Sequence, residues 1–325
     1  MPVNVRKYMV HGPLATISQL YKNKRYIADS VFPIIDGCSP KSQVFKYNKG
    51  DWFRDEAKVR APSTEAARGA FKGEPVNINT KEYSFASEVT DEDRRDAKFA
   101  NTPPLKPEQD AIEYATDKLD LKKEKRVADL VLSSEWSGEA NGNDVQGAWA
   151  AGSGNIFIET IEKGIEEIRS KTGMRPNHLV LSANILPELK REESILDRIK
   201  YTEKGIVTAA LIASMFDLEG VLVGDAVENT AKEKVDGSDF IAKDVWEKNK
   251  GKGSAFLFYR PNKPGLKVAS AGYQARVPYE GGSVRRISRW REDSRHQDVF
   301  EVSEETDIFA SGLDLGILYV DCIKD

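Results

Sequence analysis

The residues best equipped for chemistry are few and scattered. The chain holds three histidines, His11, His178 and His296, and two cysteines, Cys38 and Cys322. No two of them stand at the i, i+4 or C-x-x-C spacings that bring metal ligands onto one face, so the expectation is a chain without a metal. Two cysteines so far apart fit a reducing compartment rather than a disulfide framework. Gly152-Ser153-Gly154 offers a small glycine loop, but it lacks the third glycine of a dinucleotide fingerprint and the Gly-Lys-Ser/Thr of a P-loop. Nor is there a G-x-S-x-G nucleophile elbow. Adjacent carboxylates such as Glu192-Glu193 and Glu304-Glu305 are what a chain with 31% charged residues shows on any solvated face. The one concentrated feature is basic: VRRISRWREDSR places Arg285, Arg286, Arg289, Arg291 and Arg295 around Trp290. Guanidinium groups and an indole so arranged suit phosphate contact and base stacking. They equally suit ion pairs with carboxylates inside a subunit or between subunits. Glu292 and Asp293 and an acidic whole favour the second. No catalytic constellation and no cofactor are expected.

The elements that would position these residues are easier to read. The net charge is -4, which disfavours a chain whose main task is to grip nucleic acid. With 40% hydrophobic residues in 325, the chain can bury a core, in one large domain or two. Residues 1–40 carry five lysines and arginines against two aspartates, and residues 301–325 seven carboxylates against one lysine, so opposed ends could complement each other. No window approaches a membrane span, and the first residues have no long apolar core, so a soluble cytosolic chain is expected.

Residues 1–40 read as an arm, with Val31 to Ile35 as a short extended anchor. Residues 41–102 read as a long β-hairpin: SQVFKYNKGDWF on one side and EPVNINTKEYSFASEVTD on the other, with too few apolar positions for a core of its own. Such a hairpin must lie against something else. From Pro107 a long helix of about 25–30 residues follows, with Ile112, Ala115, Leu119, Val127 and Leu130 forming a narrow stripe. Ile156 to Gly173 is an amphipathic helix through Ile158, Ile161, Ile165 and Ile168, stopped by the glycine. HLVLS, ANILPELKRE, a linker with ILDRIKY, TAALIASMF and GVLVGDA then read as strand, helix, linker, helix and strand. SAFLFYR and LKVASAGYQARV supply further strands, and DVFEVSEETDIFA with LGILYVDC a closing strand pair.

In this order and spacing, YIADSVFPIIDGCSPKSQVFKYNKGDWFRDEAKVRAPSTEA, the P-x-x-E helix start and KTGMRPNHLVLSANILPELKREESILDRIKYTEKGIVTAALIASMFDLEGVLVGDA resemble the major capsid proteins of tailed bacteriophages. The resemblance runs from about Tyr26 to Val320 and implies an α+β, Hong Kong 97-type capsid fold. It implies an N-terminal arm at 1–40 reaching under neighbouring subunits and an extended β-hairpin loop at 41–102 lying over an adjacent one. It also implies a peripheral domain at 103–176 with a spine helix at about 107–136, an α/β axial domain at 177–290 around hexamer and pentamer centres, and C-terminal strands at 291–325 returning to the peripheral domain. Candidate inter-subunit contacts are then Trp52, Phe53, Arg54 and Phe71 in the hairpin, with Arg285, Arg286, Arg289 and Trp290. The implied partners are further copies of the chain in hexamers and pentamers, a separate scaffolding protein, a portal, a decoration protein, and packaged double-stranded DNA contacted weakly and non-specifically. Neither membrane, cofactor nor enzymatic activity is implied. The implied location is the virion capsid, assembled in the host bacterial cytoplasm. Some members of the family crosslink a loop lysine to a neighbour, but no lysine of this hairpin aligns with such a position. An encapsulin-like nanocompartment shell shares the fold, and an α/β enzyme with a site from distant residues is the rival of another class.

Overall fold

The computed structural model describes residues 23, 25–47, 49–99, 106–154, 156–199, 207–232, 239–265 and 267–324. His11 and most of the expected arm lie outside the described residues. In chain order, α1 (Ala28–Val31) and β1 (Ile34–Asp36) precede a hairpin of β2 (Lys41–Tyr47) and β3 (Gly73–Asn79), which encloses a helical turn, α2 (Lys49–Trp52). Next come β4 (Lys81–Thr90), α3 (Asp91–Phe99), α4 (Pro107–Ser133), β5 (Asn143–Asp144) and α5 (Ile156–Thr172). They lead to β6 (His178–Ser182), α6 (Ile185–Leu189), α7 (Glu193–Ile199), α8 (Ala209–Met215) and β7 (Gly220–Gly224). The last stretch holds β8 (Val227–Asn229), β9 (Ala242–Asp244), β10 (Ser254–Phe258), β11 (Gly272–Val277), β12 (Arg286–Glu292), β13 (Gln297–Ala310) and β14 (Gly316–Val320).

The long helix forms as its sequence demands. Pro107 stands at its start, where a missing N–H leaves nothing unsatisfied, and Glu108 and Asp110 lie in the positive first turn. Its 27 residues span about 40 Å. The buried stripe runs through Ala111, Ala115, Leu119, Val127, Ala128 and Val131, so Ile112 and Leu130 lie at its flank rather than on it.

Two five-stranded sheets flank this rod. In the first, the fourteen-residue β13 is central. β4 pairs antiparallel along one edge of it, and β12 and β11 follow one another along the other, with β1 parallel to β11. α4 covers one face, packing Ala111 near Phe300 and Val89, and Ala115 and Leu119 on Val302. The second sheet runs β5-β14-β10-β6-β7. Its strands SAFLF and GILYV are buried along their whole length. A strand covered on both faces reads as an unbroken apolar run, and both faces are indeed covered. Leu179, Leu181, Leu257, Ile317 and Tyr319 meet α5, α6 and α8, while Val180, Phe256, Phe258, Leu318 and Val320 meet the C-terminal half of α4, Trp136 and Trp246.

Four expectations change. The closing strands do not pair with each other. β13 is long and mixes polar with apolar residues in the sheet under α4, whereas β14 is continuously apolar and enters the other sheet between β5 and β10 after a turn at Leu313–Leu315. The expected hairpin ends at Asn79: β4 leaves it to pair with β13, because Val89 has a core to enter and β3 offers none, and 91–99 is helical. β11 and β12, expected with the 177–290 unit, belong to the sheet under α4. The linker holding ILDRI contains a helix, α7, anchored by the fully buried Ile195.

The expected anchor is real and reaches further than its five residues. Val31 and Phe32 are fully buried, and Pro33, which cannot donate, separates α1 from β1. Every exposed end of this short segment is met by a side chain from elsewhere. Glu124 of α4 accepts from the backbone amides of Ile27 and Ala28 at 2.8–3.1 Å and from Trp246 Nε1 at 2.6 Å. Gln274 donates to the carbonyls of Ala28 and Phe32, Arg260 to that of Ser30, and Arg276 pairs with Asp36 at 2.7 Å. Three donors on one buried carboxylate satisfy it as a cap does a helix start. Burial still dominates and pushes the Glu124 carboxyl above its ordinary value.

Candidate assembly surface

The hairpin forms because β2 and β3 pair in register, Lys41 with Asn79 through Tyr47 with Gly73. On the face where Val44 and Val76 meet, Ile78 at the base is buried, Val44 is half-buried and Val76 is exposed. Every residue from Trp52 to Asn77 is exposed. Among them Trp52, Phe53 and Phe71 stand at 57, 66 and 57% exposure. Tyr47, Trp52 and Phe71 form a small aromatic cluster with centroids 5.6–6.3 Å apart, which stiffens the turn without hiding it. Arg54 pairs with Glu56, two residues on. At the turn the hairpin touches its own body at few points. Lys49 Nζ lies 2.5 Å from Asp314 Oδ2, Lys267 stands over the Tyr47 ring, and Phe53 lies on Gly173. Gly173 ends α5 with φ +70 and its amide on the Arg169 carbonyl, and a Cβ there would stand 3.1 Å from the Phe53 ring.

The arginine cluster is folded into the chain's own charge network. Arg285 bridges Asp120 of α4 and Glu304 of β13, Arg286 holds Glu82 of β4 at 2.7 Å and lies over Tyr279, and Arg289 reaches Asp298 at 2.6 Å. Arg291 grips Asp91 through two nitrogens, and Arg295 lies near Glu88 and Glu292. The planar fork of arginine suits such shared contacts. Arg289 and Arg94 beside Asp298 hold its carboxyl below the usual range. These guanidinium groups are committed to carboxylates, which leaves little for a phosphate. Trp290 is 41% exposed on the face of the sheet opposite α4.

The glycine loop is occupied by carboxylates of its own chain. The amide of Gly152 donates to Glu192 at 2.7 Å and that of Ala151 to Glu188 at 3.1 Å. An open depression of about 450 Å³ beside it is lined by Glu192, Glu193, Asp197 and Arg198. Its acidic wall repels phosphate. Among the described residues no group of three metal-ligating side chains occurs, and no helix is long and apolar enough to cross a membrane. His178 lies half-buried beside Phe258 with Nδ1 on Asn177, and burial lowers its pKa; His296 turns a left-handed corner before β13.

Sequence reasoning missed Glu124, Gln274 and Trp246 as the anchor's receptors. A signal existed for Glu124, since it lies three residues before Val127 on the buried side of α4.

No family model matches the chain. Among curated proteins, it is 30% identical to the major capsid protein of Burkholderia phage BcepMu over 95% of both chains. It is 24% identical to that of Pseudomonas phage JBD67 over 69% of this chain and 71% of that one. Among solved structures, a phage-related protein of Bordetella bronchiseptica matches with TM-score 0.68 and 21% identity over 94% of both chains. The capsid of cyanophage P-SCSP1u matches with TM-score 0.62 and 11% identity over 98% of this chain and 95% of that one. An encapsulin from Synechococcus elongatus matches at TM-score 0.55 and 10% identity, over 98% and 94%. The fold is thus the α+β fold of these shells, the Hong Kong 97 type. A hairpin whose aromatics stay exposed on its own chain is what a building unit offers a neighbour, and the chain belongs to the family of tailed-phage major capsid proteins, structural proteins of the virion shell and not enzymes.

Proposed function

We propose that this capsid subunit assembles into hexamers and pentamers of an icosahedral shell around double-stranded DNA, contacting that DNA weakly and without sequence preference. The hairpin at 41–79 carries the reading: a projection exposed from Trp52 to Asn77 and bearing Trp52, Phe53, Arg54 and Phe71 has to find cover on another copy. In this reading the α4 sheet is the peripheral part and the β10-β14 sheet the axial part gathered about the symmetry axes. Arg286, Arg289 and Trp290 lie on the exposed edge offered to a neighbour, while Arg285 fixes α4 to β13. A separate scaffolding protein, a portal and a decoration protein complete the assembly in the host cytoplasm. A net charge of -4 supports weak DNA contact, because strong adhesion would hinder packing.

Electron microscopy with sedimentation, on the protein alone and co-expressed with a scaffolding candidate, tests the reading. Shells, tubes or capsomer rings are expected; a single small species in both samples overturns it. The likeness to an encapsulin favours one second reading, a cargo compartment, which predicts shells that hold a co-purifying enzyme and no DNA.

A further inference from the structure

The hairpin of β2 and β3 is held to its own chain at both ends, and the two ends are held differently. Among the described residues its ladder is a two-stranded sheet of its own, hydrogen-bonded to neither five-stranded sheet. Two short links join it to the body, the exposed Ser39-Pro40 before β2 and Thr80 between β3 and β4. At these links the base is fixed. Ile78 is buried, and Asn79 N donates to Asp307 at 3.1 Å. Thr80 donates through its amide to the Pro40 carbonyl at 3.1 Å and through Oγ1 to Glu305 at 2.5 Å. Gly37, just before, stands at φ +79 with nothing within 4 Å of the place of a Cβ, so the chain turns there in open space.

The far end is held by contacts that water can replace. Strands of seven residues carry it about 20 Å from the base. There Lys49 Nζ lies 2.5 Å from Asp314 Oδ2, with the two side chains 52 and 42% exposed. Lys267 Nζ stands 5.7 Å from the centre of the Tyr47 ring, and the exposed Phe53 ring lies on Gly173. No residue from Lys49 to Phe53 is buried. Asp314 belongs to the turn between β13 and β14, and Gly173 follows α5, so this end touches parts of the body that the base does not. An exposed ion pair contributes little and is screened by salt. A lever with a buried base and an exposed far contact therefore opens at the far end first.

We propose that the contacts of Lys49 with Asp314 and of Phe53 with Gly173 form a releasable self-latch, which stores the hairpin on its own subunit until a second copy of the chain displaces it. While the latch is closed, Lys49 and Phe53 are taken up at home. Released, the hairpin turns about Ser39-Pro40 and Thr80 and offers both outward. The apparent affinity between copies is then reduced in proportion to the fraction of subunits whose latch is open. The latch thus sets the concentration at which copies associate, and keeps folded subunits apart below it. This rests on the reading of the hairpin as a projection toward a neighbour, and adds to it a closed state that competes with that contact.

Zero-length crosslinking of the full wild-type chain tests the closed state. A carbodiimide, which joins an amine to a carboxylate in contact with it, should link Lys49 to Asp314 in unassembled subunits. Mass spectrometry of the digested protein should recover that amide at least about tenfold less from shells, where the hairpin has swung out. Equal recovery from shells and free subunits, or none from free subunits, overturns the proposal. Asp314→Asn changes the body and leaves the hairpin intact; it should lower the subunit concentration needed for shells about twofold to fivefold, the range an exposed ion pair controls. Asp314→Lys should lower it further, because like charges then drive the far end off. Folded variants that need the wild-type concentration or more overturn the proposal. Circular dichroism and melting establish folding, and should a variant not fold, the crosslink comparison on the wild-type chain decides alone. Replacing residues 57–70 with a short Gly-Ser linker separates the two levels. Normal shells from that chain sink the hairpin reading itself; no shells from it, with the Lys49–Asp314 amide as abundant in wild-type shells as in free subunits, sink only the latch.

Discussion

Two neighbouring stretches, Ile27–Asp36 and Lys41–Asn79, both looked like projections in the sequence, and they meet opposite fates. The first places Val31 and Phe32 at no exposure and has its peptide groups met by Glu124, Gln274 and Arg260. The second pairs its two strands with each other, buries Ile78 at its base and leaves Trp52, Phe53 and Phe71 exposed. What separates them is the supply of partners. A buried peptide group is tolerated only where another element brings a donor or acceptor to it, and α4, β11 and Arg260, just beyond β10, do so for the first stretch. One is therefore part of the subunit's fold, and the other is the projection we propose meets a neighbour.

The same substitution on each side of this divide should give the largest contrast. Phe32→Ala removes a fully buried ring that packs on Phe258 and should cost about 4 kcal/mol in denaturant unfolding. A loss under about 1 kcal/mol would mean that the anchor is not part of the core. Glu124→Ala comes next, because it leaves two amides and the Trp246 indole without an acceptor; about 3 kcal/mol is expected, with Trp246 fluorescence shifted to the red.

Titration sharpens the comparison further. Glu124 is raised above 4.5 by burial, so its native state holds the proton more tightly than the unfolded chain does. Its contribution is complete below about pH 4.5 and fades as pH rises through the folded value. Asp298, lowered by Arg289 and Arg94, acts in the other sense: its contribution is present above 3.8 and fades as pH falls through its folded value. In melting curves across pH, Glu124→Gln should flatten the upper limb and Asp298→Asn the lower; unchanged curves would remove the electrostatic account. Smallest of all, Phe53→Ala in the unassembled subunit should change stability by less than about 0.5 kcal/mol, because its ring is 66% exposed. A larger loss would make the hairpin part of the subunit's own core.

Much of the architecture could be read locally. Pro107 with Glu108 and Asp110 announced α4, four isoleucines at helical spacing announced α5, and HLVLS and GVLVG announced the strands β6 and β7, whose parallel pairing the structure adds. Local pattern could not tell where a strand goes after it forms. EPVNINTKEYSFASEVTD alternates throughout, yet it serves a free hairpin before Thr80 and a packed sheet after it. The arginines of β12 were visible as a cluster, but their carboxylates come from Glu82, Asp91, Asp120, Asp298 and Glu304, between 9 and 204 residues away.

By itself the sequence determined most element types, the lack of metal spacing, the existence of a hairpin though not its end at Asn79 and, through resemblance, the family. Periodicity, helix stops and composition act over a few residues, so they are written in order along the chain. Only the tertiary structure decided that 27–36 is core, that β13 and β14 enter different sheets, and that the arginines are spent within the subunit. Burial and charge pairing are set by residues that meet across hundreds of positions, and a pattern read along one strand shows which residues share a face but not what covers it.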